Sequence, residues 1–157
     1  MIGSEKKAQY VGVILVKPDG SVLCQHRDDI ATILEPNTWS VPGGTREPYD
    51  PTLRSCGARE LREETGYDVD EKDLRFLTRD EYVNALEILV QRIIFWAIYD
   101  ASQNIQCLEG QEMTFISPNE FRNLNFAIGH ENFVCKAAEK VFFNPTTAKD
   151  KSSLTRC

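Results

Sequence analysis

Two histidines, five scattered cysteines and no long apolar run narrow the field before any motif is considered. The cysteines Cys24, Cys56, Cys107, Cys135 and Cys157 contain no CxxC pair. Their odd number and wide spacing fit neither a zinc site nor a disulfide framework. They are expected to be incidental or buried thiols in a reducing compartment. His26 and His130 lack partner spacing for a metal or a catalytic triad and are expected to be structural. The longest apolar stretches, 11–16 and 93–98, are too short to cross a bilayer, and the polar start from Met1 to Gln9 lacks the pattern of a signal peptide. A cytoplasmic protein with no membrane partner is expected. Basic residues are also in deficit, 18 Lys and Arg against 24 Asp and Glu, for a net charge of −6. That argues against a nucleic-acid polymer as partner. It leaves room for a small phosphorylated molecule, provided that local Arg, Lys or metal charge reverses the global sign.

What the chain does have is the makings of one mixed domain. Its 157 residues are 41% hydrophobic and 27% charged, enough to bury a core without staples. Residues 9–16 read as a buried strand. Lys17-Pro18-Asp19-Gly20 is a turn signal, and residues 21–27 form the return strand of a hairpin. A polar loop, 28–37, leads to a short strand over 38–44 that ends in a glycine pair. A helix is expected from Pro51 to Thr65, with Asp50 as its N-cap, Pro51 at its first position and Gly66 as a left-handed C-cap. Strands follow at 74–83, 88–99 and 113–116. Pro118 opens a short helix, and 131–143 reads as a terminal helix. This order predicts an α/β domain over 1–143, with a mixed sheet between helices, and a polar tail over 144–157.

The segment Arg59-Glu60-Leu61-Arg62-Glu63-Glu64-Thr65-Gly66 carries the most chemistry. On a helical projection with Leu53 at zero, Glu63, Glu60 and Glu64 fall at about 280°, 340° and 20°. The apolar or small residues Cys56, Leu53, Gly57 and Leu61 occupy about 300° to 80°. A solvated, ion-paired face should lie opposite the apolar stripe, yet Glu60 and Glu64 overlap it. Like charges four apart repel, more so when desolvated. Partly buried, mutually repelling carboxylates call for a cation, and oxygen ligands point to Mg²⁺, with Mn²⁺ as the alternative. Arg59 is placed to pair with Glu63. Gly57 weakens the helix by about 1 kcal/mol relative to alanine, which suggests that another backbone approaches there. The Gly43-Gly44 loop is the expected visitor.

Gly44 followed by Arg59-Glu60-Leu61-Arg62-Glu63-Glu64-Thr65-Gly66-Tyr67 resembles the signature of the Nudix hydrolase family. That signature is a glycine, five residues, a glutamate, seven residues, then Arg-Glu-aliphatic-x-Glu-Glu-x-Gly-aliphatic. Trp39-Ser40-Val41-Pro42-Gly43-Gly44 is similar to the strand and glycine loop that lead into it, and residues 115–121 are similar to a late strand-then-helix segment. Fourteen residues separate Gly44 from Arg59, where the family pattern has thirteen. The first glutamate of the signature is missing. Asp50 stands in its place counted from Gly44, and Pro51 counted from Arg59; Asp50 as a substitute acid is the alternative to its reading as the helix cap.

The resemblance implies a Nudix-like α/β/α sandwich and Mg²⁺-dependent cleavage of a diphosphate linkage in a nucleoside diphosphate derivative. It implies Glu60 and Glu64 as metal ligands, and Glu63 as a third ligand or the base that orients the attacking water. Arg59 would orient Glu63, and Gly43 and Gly44 would offer backbone groups to the substrate or metal. Some members take a further acid from a loop outside the signature. Glu112 is the candidate here, with Glu87 behind it. Trp39, Trp96, Tyr82, Phe115 and Phe126 are candidates to stack on a base, each competing with a plain core role. Arg27, Arg46 and Arg92 are unranked candidates for phosphate or ribose. A non-catalytic sensing or docking module of the same fold is the alternative. An isoprenoid diphosphate isomerase would need an additional activated Cys or Glu, and no such residue is identified. The sequence leaves a homodimer open.

Overall fold

A strand buried on both faces organises the molecule. In the computed structural model, which describes residues 6–142, β1 (Lys7–Val16) points Val11, Val13 and Leu15 to one face and Ile14 and Val16 to the other. All five are fully buried, so the uniformly apolar run 11–16 is that of a central strand. β2 (Val22–His26), β3 (Trp39–Ser40), β4 (Gly43–Thr45), β5 (Arg75–Val83), β6 (Leu89–Ile98) and β7 (Glu112–Ile116) complete the sheet. The main order is β3-β2-β1-β6-β5, with β4 on β1 and β7 on β2. β6 runs parallel to β1 along its whole length, Lys7 opposite Leu89 through Val16 opposite Ile98, whereas the other named pairings are antiparallel.

Each face carries one helix. α1 (Leu53–Thr65) lays Cys56 and Leu61 against Val11, Val13, Leu15, Ile93 and Phe95. α2 (His130–Phe142) lays Phe133, Val134, Ala137 and Ala138 against Ile14, Val16, Ile94 and Trp96. The expected mixed sheet between helices is therefore present. The polar tail expected over 144–157 lies outside the described residues.

Four local expectations need correction. The hairpin turn forms at Lys17–Gly20, with Gly20 at φ 89°, but β2 meets β1 in register only at Val16–Val22. Beyond that point β2 leaves to pair with β3 and β7, and β4 takes over the edge of β1 at residues 10–12. The expected strand over 38–44 is accordingly two short strands broken at Val41-Pro42. The helix starts at Leu53, and its N-cap is Thr52, whose side chain accepts from Ser55 N at 3.0 Å while Ser55 Oγ accepts from Thr52 N at 2.9 Å. This reciprocal pair satisfies two orphan donors and leaves Asp50 free for other use. Finally, a Cβ on Gly57 would lie 2.8 Å from Val13 Cγ2 and 3.2 Å from Val11 Cγ1. The close visitor is thus β1, not the Gly43-Gly44 loop, and the glycine lets α1 sit tightly on the sheet.

Cys24 and Cys56 are buried free thiols and Cys107 an exposed one. Cys135 is disulfide-bonded, which departs from the reading of every cysteine as a thiol. Cys157 lies outside the described residues. Among the described residues no helix is long and apolar enough to cross a membrane.

Candidate metal and diphosphate site

α1 rises over the point where β4 joins β1, and its acids follow the helical projection. Glu64 is buried, Glu60 half-buried and Glu63 exposed. Glu64 Oε2 accepts the Gly43 N–H at 2.8 Å. Glu60 covers Gly44 so closely that a Cβ there would collide with its carboxylate. Gly43 has no more room, because a Cβ would strike the Val11 carbonyl, Gly12 and the Tyr10 hydroxyl. Gly43 is therefore required by space, because backbone cannot yield there, whereas Gly44 lets the Glu60 carboxylate lie over the loop; the glycines sit beneath Glu64 and Glu60 respectively.

Arg59 gathers the acids. Its Nε and Nη2 donate to the two oxygens of Asp50, each at 2.8 Å. Nη1 donates to Glu60 Oε1 at 3.0 Å and to Glu63 Oε2 at 3.1 Å. The Asp50 side chain is only 3% exposed. The Arg59 guanidinium holds its carboxyl well below the usual carboxylate range, aided by the Glu47 N–H. Asp50 is thus a partner of the site's arginine and not a helix cap. The cap reading failed because Asp-Pro is a strong local signal, whereas the Asp50–Arg59 pair spans a loop that no local pattern reports.

The electrostatics single out the buried pair. Burial pushes the Glu64 carboxyl well above its ordinary value, and Glu109 and Glu60 add to the rise. Burial likewise raises Glu60, with Arg59 opposing and Glu63 reinforcing. Glu109 lies close enough to Glu64 for its charge to act on that carboxyl. Its segment runs along the end of α1, where Gln106 N and Leu108 N donate to the carbonyls of Thr65 and Glu64 at 2.9 and 3.0 Å. Glu112 does not join this group. It begins β7 opposite His26, with an exposed side chain. Glu87 is exposed on the turn between β5 and β6. The signal that could have favoured Glu109 is the neighbouring Gly110, at φ 85°, which turns the chain there before β7 begins.

The donor set suits a hard divalent cation, namely desolvated carboxylates that repel one another beside close-approach backbone. Among the described residues no three Asp, Glu, His or Cys side chains already surround one point, and Glu60 is engaged by Arg59 instead.

The other candidates separate by face. Trp96 is buried, and Phe115 packs on Tyr99 with ring centroids 4.8 Å apart. Trp39 stacks on His26 at 4.6 Å, and Phe126 meets Phe121 edge-on. Tyr82 lies under the Arg92 guanidinium, 4.3 Å from ring centroid to Cζ. Arg92 is buried and bidentate to Asp80, at 2.7 and 2.6 Å, so its charge is spent within the protein. Arg27 holds the Leu34 carbonyl, and Arg46 holds Gln9 and the backbone of Asp50 and Pro51. His130 Nδ1 accepts the Val41 N–H at 3.0 Å, and burial lowers its pKa to about 3. That histidine is a neutral structural acceptor.

The chain matches the NUDIX domain family model over residues 6–137. It belongs to the NUDIX domain family. The expectation of a Nudix-type hydrolase holds at that level, and solved structures show the same fold. A MutT protein from Methanosarcina mazei Go1 superimposes with a TM-score of 0.71 at 18% identity, covering 87% of this chain and 96% of that one. The NUDIX domain of Shewanella oneidensis NrtR, complexed with ADP ribose, gives 0.73 at 16% identity, covering 87% and 90%. A bifunctional NMN adenylyltransferase/ADP ribose pyrophosphatase from Francisella tularensis, complexed with AMP and a Mn ion, gives 0.69 at 16% identity, covering 88% and 43%. A comparison with curated proteins finds no match.

Proposed function

We propose that this protein is a cytoplasmic hydrolase that uses Mg²⁺, or Mn²⁺ in its place, to cleave a diphosphate linkage in a nucleoside diphosphate derivative. The observation that carries this reading is the buried Glu60–Glu64 pair lying over Gly43 and Gly44, with Arg59 tying Glu60 to Asp50 and Glu63. Glu60 and Glu64 would hold the cation, with Glu63 as third ligand or base. Bound there, the cation supplies Lewis-acid charge against the diphosphate. Glu109 takes the part anticipated for Glu112. Arg59 fixes Glu60 and Glu63 in direction, and Asp50 fixes Arg59. The glycines bring backbone within reach of the phosphates.

A non-catalytic sensor would have no need of an intact acid cluster with its arginine. The deciding measurement is metal-dependent release of phosphate or nucleotide across nucleoside triphosphates, nucleotide sugars, ADP-ribose and dinucleotides. Glu64→Gln is expected to lose about a hundredfold or more. Near-normal turnover by that variant would remove Glu64 from the mechanism, and no turnover by the unaltered protein on any substrate would favour the sensor.

A further inference from the structure

On the face of the sheet that carries α1 lies a cavity of about 760 Å³, of the size that holds a small-molecule ligand. Its position relative to the acids follows from strand periodicity. Gly44 pairs with Val11, which faces α1, and Glu60 lies over Gly44. Arg46, two residues further, falls on the same face about 7 Å along the chain. There it walls the cavity. The cavity therefore opens beside the diphosphate site, away from Tyr82, Arg92 and Trp39, which pack on the α2 side.

The floor is a row of polar side chains crossing three strands. Gln9 stands opposite Gln91 in register, and Gln91 opposite Glu81. Gln9 Nε2 donates to Gln91 Oε1 at 2.8 Å, and Arg46 Nη1 donates to Gln9 Oε1 at 3.2 Å. Gln9 is thus held at both its nitrogen and its oxygen. Among the described residues the Gln91 amide nitrogen and the Glu81 carboxylate make no hydrogen bond within the protein, so they are a donor and an acceptor available side by side. Lys7 and Glu47 complete the charged rim. Asp50 also lines the cavity, but its charge is met by Arg59; the remaining acids, Glu47 and Glu81, balance Lys7 and Arg46, which is not how a phosphate cradle is built. Adjacent donor and acceptor groups in a charge-balanced, open cavity suit the vicinal hydroxyls of a neutral ring.

We propose that this cavity receives the sugar of a nucleoside diphosphate sugar, with Gln91 and Glu81 binding its hydroxyls while the diphosphate lies at Glu60 and Glu64. The assignment rests on the hydrolase reading and narrows its substrate class. The test compares kcat/KM for a nucleoside diphosphate hexose, ADP-ribose, a nucleoside triphosphate and a dinucleoside diphosphate. The first two are expected to exceed the others by about tenfold or more. Gln91→Leu and the near-isosteric Glu81→Gln should each reduce that preference about tenfold through KM, with thermal melts confirming that both fold. Equal efficiencies, a preference for the triphosphate or dinucleotide, or variants that shift all substrates alike would overturn the sugar site and leave the hydrolase intact. No turnover on any substrate would sink the hydrolase instead. In that event calorimetry decides the cavity: a nucleoside diphosphate sugar that binds more tightly than the bare diphosphate, with the gain lost in Gln91→Leu, upholds it, and equal affinities refute it.

Discussion

Asp50 and Arg59 show how one buried ion pair ties a loop to a reactive cluster. The pair is bidentate, and the carboxylate is nearly inaccessible to water. Removing its charge leaves the arginine short of a partner in a poorly solvated place. Asp50→Asn is therefore expected to cost about 3 kcal/mol at neutral pH, read as a lowered melting temperature. The pH dependence has a definite sign. Because the folded carboxyl titrates well below its unfolded value, its contribution is complete above the unfolded pKa of about 3.9 and is lost as pH falls below it. The gap between the two melting curves should accordingly begin to narrow as pH falls below about 4 and go on narrowing towards the much lower folded value, and a gap that stays constant with pH would contradict this account. At this scale the sequence was readable for Glu60, Glu63, Glu64 and Arg59, because their spacing on one helix fixes their mutual geometry. It was not readable for Asp50 or Glu109. Both reach the cluster across turns, and the position of a side chain beyond a turn depends on φ values and tertiary contacts that spacing does not encode.

Elements were legible to the extent that their signals were periodic. The two long strands of the β5–β6 ribbon and both helices lie within about two residues of expectation, since alternation, a continuous apolar run or a 3.6-residue stripe marks each of them. The strand at 38–44 was not, because Pro42 interrupts it, and which neighbour each half joins is decided by β1. Gly57 illustrates the same limit. Its presence announced a close approach, but the partner proved to be Val11 and Val13 on the strand below. On an isolated helix Gly57→Ala would stabilise by about 1 kcal/mol. Here the added methyl meets Val13 Cγ2 at 2.8 Å, and overpacking of this kind costs about 1–3 kcal/mol. The variant should be less stable than the parent in chemical denaturation. A more stable variant would mean that α1 can lift from the sheet without penalty.

For the whole molecule, a cation that binds only the folded acid cluster must stabilise the fold. Excess Mg²⁺ or Mn²⁺, at about a hundred times its dissociation constant, should add about 2.7 kcal/mol, seen as a rise in melting temperature that Glu64→Gln largely abolishes. An unchanged melting temperature in the unaltered protein would argue against a cation at this place. The sheet itself carries a further consequence. β2 and β4 divide one edge of β1 between them, and the acids on α1 stand over the β4 piece alone. Substitutions along β2 therefore leave Gly43 and Gly44 undisturbed beneath the acids, so the piece of sheet under the reactive centre can stay fixed while its neighbour changes.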